Sequence, residues 1–213
     1  MRSPNQEKIL NKIRDNLGRS QGKPLVSIPK ALPPRKMLPT DDEIDLLIQE
    51  INSLSGSATR IPKDKIRQEL SNLIEAEGIR KACMWDTPFL TNQGIASLLS
   101  EYGVEVIPLQ SEKSQLAQCD LGITEVDYAI SYTGTLCLLS SPIKPRTTSL
   151  LPRVHLAIVR PENLRSDLHQ VLDEAKNSEY FVFITGPSRT ADIELTVALG
   201  VHGPQRLYAW VIP

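Results

Sequence analysis

"VHLAIVRPENLRSDLHQVLDEAKNSEYFVFITGPSRTADIELTVALGVHGPQRLYAWVI", Val154 to Ile212, decides the fold. Three apolar runs stand in it: Val154–Val159, Tyr180–Thr185 and Leu207–Ile212. Each is too short for a buried helix and too continuous for a strand with one face in water, so each reads as a strand covered on both faces. Between them the period changes to that of a helix. Leu164, Leu168, Leu172 and Ala175 share one face of a helix predicted over 164–176, and a second is predicted over 190–199. Strand–helix alternation of this kind makes an α/β domain of three layers, a mostly parallel sheet with helices on both faces.

Working outward, the same alternation continues toward the N-terminus. "KACMW" (Lys81–Trp85) and "VEVI" (Val104–Ile107) read as strands, with a short one over 58–61. Helices are predicted over 62–77, ended by Gly78, and over 90–102, ended by Gly103. "DYAISYTGTLCLL" (Asp127–Leu139) reads as two strands joined at Thr133-Gly134. Thr40 and Glu43 have capping-box spacing before Ile44, Leu47, Ile48 and Ile51, which opens the main domain at residue 40. Ahead of it, Ser3 and Gln6 form another such box at the start of a short amphipathic helix with Ile9, Ile13 and Leu17 on one face. Pro24, Pro29, Pro33, Pro34 and Pro39 then forbid regular structure. Residues 1–39 are therefore expected to be a helical arm and 40–213 the α/β domain. The arm is as well suited to clasping a second copy or a partner subunit as to packing on its own body.

Composition narrows the function. Of 213 residues, 40% are hydrophobic and 23% charged, with a net charge of -1, so nothing invites nucleic acid. No early apolar stretch resembles a secretory signal and none is long enough for membrane insertion, which predicts a cytoplasmic protein. Cys83, Cys119 and Cys137 are far apart, without metal-ligand spacing, and are expected to be reduced thiols. With His155, His169 and His202 they form no pattern for a metal, and no GxSxG, Walker or GxGxxG sequence is present. No cofactor and no metal site are expected.

Ligands of open α/β sheets collect at the carboxyl ends of strands, and three polar segments are expected there. They are Gly122–Thr135, Ser140–His155 and Thr185–Glu194. The first offers Thr133, Gly134 and Thr135, the second Lys144 and Arg146 in a stiff basic loop, the third Thr185, Gly186, Ser188, Arg189, Thr190, Asp192 and Glu194. Arg189 poses a question. At the start of a helix over 190–199 it would oppose the dipole, at a cost of roughly 0.3–1 kcal/mol. It pairs with Asp192, holds an anion with the helix amides, or serves a subunit contact. His202 sits in a loop that reaches the same rim. Glu125, Asp127 and His155 are the candidate acids or bases.

Taken together, "GITEVDYAISYTGTLCLL", "KPRTTSLLPRVHLAIV" and "ITGPSRTADIELTVALGVHGP" closely resemble the lactate utilization protein C family, whose core is the LUD domain. The resemblance implies a fold similar to ribose-5-phosphate isomerase and CoA-transferases. It also implies a place beside iron–sulfur partner proteins in the oxidation of L-lactate to pyruvate, with a small anionic ligand at the strand-end rim. Thr133, Gly134, Thr135, Arg146, His155, Thr185, Gly186, Ser188, Arg189, Thr190, Asp192, Glu194 and His202 are the matching positions. Tyr132 departs from the family, which commonly carries an acid before Thr-Gly-Thr, so that role is missing here or passes to Glu125 or Asp127. Two other readings stand: a stand-alone enzyme of the isomerase, CoA-transferase or folate-ligase type, and a non-catalytic assembly subunit.

Overall fold

The computed structural model describes residues 4–18, 33, 35–176, 178, 180–190, 198–199 and 202–213. The chain falls into two units, Met1–Pro33 and Pro34–Pro213. In the first unit α1 spans Pro4–Asn16, and Ser3, the expected cap, lies outside the described residues. In the second, α2 (Thr40–Ser53) precedes β1 (Ser57–Arg60), α3 (Ile66–Glu77), β2 (Lys81–Met84), α4 (Pro88–Asn92) and α5 (Ile95–Glu101). Then come β3 (Glu105–Val106), α6 (Lys113–Leu116), β4 (Leu121–Glu125), β5 (Tyr128–Ile130), β6 (Thr135–Leu139) and α7 (Thr147–Leu150). The chain closes with β7 (Val154–Val159), β8 (Leu164–Arg165), α8 (Leu168–Ala175), β9 (Phe181–Ile184), β10 (Arg189–Thr190), β11 (Ala198–Leu199) and β12 (Arg206–Val211).

Six strands form one parallel sheet in the order β1-β12-β7-β4-β2-β3. All six residues of β7, at its centre, are buried. Successive side chains of a strand point to opposite faces, so this sheet is covered on both. Its core includes Leu47 and Ile51 of α2, Leu70 of α3, Trp85, Leu121, Ile123 and Leu156. No helix among the described residues is long and apolar enough to cross a membrane. The three cysteines are free and buried.

Several expected elements are corrected. The run at 181–184 is not in the parallel sheet. As β9 it pairs antiparallel with β6, in a second sheet ordered β8-β5-β6-β9. The helix over 164–176 is shorter, because Leu164 and Arg165 pair with β5 as β8. Asp167 accepts a hydrogen bond from the His169 amide at 3.0 Å and starts the helix there. The buried face of α8 is then Val171 and Ala175, while Leu168 and Leu172 are exposed. Gly94, with φ of 66°, breaks the helix over 90–102 into α4 and α5. At residue 40 there is no reciprocal capping box: Pro39 stands at the cap of α2, with no side-chain cap bond. Glu43 reaches back to the Leu38 amide at 2.7 Å.

The helix predicted over 190–199 is corrected at both ends. Arg189 and Thr190 pair antiparallel with Leu199 and Ala198, as β10 and β11. Residues 191–197, with Asp192 and Glu194, lie outside the described residues.

Candidate functional site

A cleft of about 320 Å³ opens where the two sheets face each other. Ser149 and Leu150 of α7 form one wall, and Val182 to Ser188, from β9 and the turn after it, form another. His202 and Pro204 close the rim, with His155 and Leu207 beneath. His155 and Leu207 are register partners near the amino-terminal ends of β7 and β12. The cleft therefore lies near the amino-terminal ends of β7 and β12, while Thr185 to Ser188 line it just after the carboxyl end of β9.

His155 is the distinctive group. It is fully buried, and its Nε2 lies 2.8 Å from the hydroxyl of Thr124, itself fully buried. A buried hydroxyl proton needs an acceptor, and His155 is the partner this hydroxyl has. With that hydroxyl donating, Nε2 accepts and the proton of the neutral ring is assigned to Nδ1. Nδ1 has no hydrogen-bond partner among the described residues. His155 borders the cleft from beneath, and a buried polar group without a partner is costly.

Burial pushes the His155 imidazole down to about 3. Its ordinary value is 6.5, so between pH 6.5 and 3 the unfolded chain takes up a proton that the folded chain refuses. Stability from this source is complete above pH 6.5 and is lost as the pH falls toward 3. His155→Gln keeps an acceptor for Thr124 and cannot titrate. Urea unfolding between pH 6 and 4 is expected to show the parent losing up to about 1.4 kcal/mol per pH unit more than the variant. Parallel curves would mean that the ring protonates in place.

The other sequence candidates separate into groups. Thr133 and Thr135 share a hydrogen bond at 2.8 Å, and Thr135 reaches Thr185 on the cleft wall at 2.9 Å. Gly134, with φ of 60°, lets this turn sit on α2, since a Cβ there would lie 2.8 Å from the Ile51 nitrogen. Gly186 makes a similar close approach to Leu54. The Ser188 amide donates to the Pro204 carbonyl at 2.9 Å, joining two rims of the cleft. Arg189 has its answer here. Its guanidinium donates to the carbonyl of Leu54, the C-cap of α2. A cation at the negative end of a helix is favourable, so the local rule is kept by an element 135 residues away.

Three candidates lie elsewhere. Glu125 pairs with Arg160 at 2.9 Å. Asp127 accepts from the Leu139 amide at 2.8 Å and from Lys144, which also stands 5.2 Å over the Trp85 ring. Both acids are engaged in holding loops, and neither lines the cleft. Arg146 lies over the Tyr180 ring, 4.8 Å from its centre, outside the cleft. Among the described residues no group of three or more His, Cys, Asp or Glu is placed to hold a metal.

Sequence reasoning missed Arg35, which stands in the proline-rich arm with no local pattern around it. Its guanidinium meets Glu43 at 2.6 Å and the Ser131 hydroxyl at 3.2 Å, and lies 5.8 Å from the centre of the exposed Tyr132 ring. Its backbone is bound as well, the amide to Asp167 and the carbonyl to the Ser166 hydroxyl. Arg35 thereby anchors the turn that carries Thr133 and Thr135.

The profile of the LUD domain family matches residues 44–212. Lactate utilization protein C of Halalkalibacterium halodurans is 30% identical, with 94% of each chain covered. Lactate utilization protein C of Bacillus subtilis is 28% identical over 94% of this chain and 92% of its own. Among solved structures, a DUF162 family protein from Deinococcus radiodurans superposes with a TM-score of 0.63 at 18% identity, covering 83% of this chain and all of that one. That likeness speaks for the fold.

Proposed function

The chain belongs to the LUD domain family, with lactate utilization protein C among its relatives, and from that premise we propose that it is a subunit of an L-lactate-utilizing system. In this reading it works beside iron–sulfur proteins that oxidise L-lactate to pyruvate, and its own task is to hold a small carboxylate in the cleft above His155. One observation carries the ligand: the neutral His155 imidazole that borders the cleft from beneath, with its Nδ1 buried and left without a partner. A carboxylate oxygen is the acceptor that the group lacks, with the hydroxyls of Thr185 and Ser188 nearby. No Arg or Lys lines the cleft among the described residues, so a single negative charge fits it better than a phosphate ester.

Binding is favoured over stand-alone acid–base catalysis for a related reason. Glu125 and Asp127 are paired with Arg160 and Lys144, and an imidazole pushed down to about 3 is a poor proton acceptor at neutral pH. Calorimetric titration with L-lactate and with pyruvate tests the proposal. His155→Gln, which keeps an acceptor within reach of Thr124 but offers no N–H in place of Nδ1, is expected to weaken the bound acid about tenfold or more. Equal affinity in parent and variant, or no saturable binding of either acid, would sink it.

A further inference from the structure

A second concavity, of about 600 Å³, lies on the other flank of α7. Leu150 borders both cavities, so this short helix is the wall between them. The two differ in chemistry. No cation lines the cleft over His155 among the described residues, whereas the second groove has Arg146 and Lys113 on its walls, together with Thr147 and apolar Leu150 and Leu151.

The two cations of the neighbouring loop have different fates. Lys144 is committed to Asp127 and the Trp85 ring, and the Trp85 indole N–H in turn donates to the Pro145 carbonyl at 3.0 Å. That fixes the chain just before Arg146. The Arg146 guanidinium lies on the Tyr180 ring, another lining residue, at 4.8 Å. A ring on one side of the guanidinium still leaves N–H groups to donate, and a guanidinium suits carboxylate or phosphate oxygens. None of the ion pairs among the described residues engages Arg146 or Lys113. The nearby Glu112 carboxylate faces the Ser114 hydroxyl at 3.3 Å and does not line the groove.

We propose that this groove is a second ligand site, separate from the cleft, for an organic anion with an apolar body. Arg146 and Lys113 take its carboxylate or phosphate head, and Leu150 and Leu151 cover its hydrocarbon or aryl part. The size supports a small molecule, since cavities of about 300–1,000 Å³ are typical of drug-sized ligands. Leu151, 39% exposed, is then an apolar wall left uncovered for the ligand.

Phenyl phosphate and inorganic phosphate are the probes, titrated by calorimetry at low salt into the full chain. Phenyl phosphate is expected to saturate and to bind several-fold tighter than inorganic phosphate. Arg146→Gln should weaken both by about tenfold, and Lys113→Gln should weaken both less, since a lysine makes a point contact rather than a fork. Leu151→Ser should weaken phenyl phosphate alone. His155→Gln, which reads the other cleft, should leave both affinities unchanged. Absence of saturable binding, or equal affinity in parent and the Arg146 and Lys113 variants, overturns the site. So does loss of phenyl phosphate binding in His155→Gln, which would place the probe in the cleft instead.

Discussion

Arg35→Ala is expected to lower stability at neutral pH by about 3 kcal/mol, the low end of the cost of leaving a buried charge unpaired. The low end applies because Arg35 is itself partly exposed, with a quarter of its side chain in solvent, while Glu43 has none. Burial by itself raises the pKa of Glu43. The bonds from Ser131, the Leu38 amide and Arg35 outweigh it and hold the group below its ordinary 4.5. A depressed carboxyl stabilises the fold above its unfolded value and loses that contribution as the pH falls through the folded one. The deficit of Arg35→Ala should thus be largest at pH 7 and shrink below about pH 4.5, where a protonated Glu43 needs no cation. Urea unfolding across that range reads it out. A deficit independent of pH would mean that the Arg35 side chain acts through its bond to the Ser166 carbonyl and its contact with Tyr132 rather than through Glu43.

Arg35 also sets the useful truncation point. A chain that begins at Thr40 loses Arg35 and should show the deficit of Arg35→Ala in full. A chain that begins at Pro34 keeps it, and is expected to unfold at the urea concentration of the whole protein.

Much of the parallel sheet was legible because its evidence is local. Val154–Val159 and Leu207–Val211 are apolar without interruption, and that pattern has few meanings. Gly78 ends α3 with φ of 59°, as its place after the last apolar residue suggests. What misled the reading was also local. Leu164, Leu168 and Leu172 fit a helical face, but α8 begins only after the cap at Asp167, and its buried residues are Val171 and Ala175. Between residues 190 and 199 the apolar spacing copies a helix, whereas the ends of that segment pair as strands. The site was legible as residue types and not as a place. His155, Thr185, Ser188 and His202 do line one cleft, but only the second sheet, invisible in any short window, says where it opens. Arg35 and Arg189 act on partners 96 and 135 residues away, and no spacing rule carries that information.

Gly122→Ala is the substitution that should disturb the site most. Gly122 lies within β4, in register with His155, on the face of the sheet that meets α7. Its backbone angle is ordinary, so the requirement for glycine is not conformational. An added methyl would overlap the Thr148 carbonyl and fall 3.0 Å from Pro152. The first is backbone and cannot swing aside, so α7 must lift as a unit. Overpacking on this scale costs about 3 kcal/mol, equivalent to a fall of roughly 6–12 °C in melting midpoint for a chain of this size. The displacement also has a direction. α7 contributes Ser149 to the cleft and Thr147 to the basic groove, so lifting it alters both cavities together. Gly203→Ala is the comparison, because its methyl would meet only the Ser188 side chain, at 3.3 Å. Amide exchange of residues 147–151 should quicken in Gly122→Ala and stay unchanged in Gly203→Ala. If the melting midpoint of Gly122→Ala matches the parent, α7 is free to shift on the sheet, and the wall between the two cavities is movable rather than fixed.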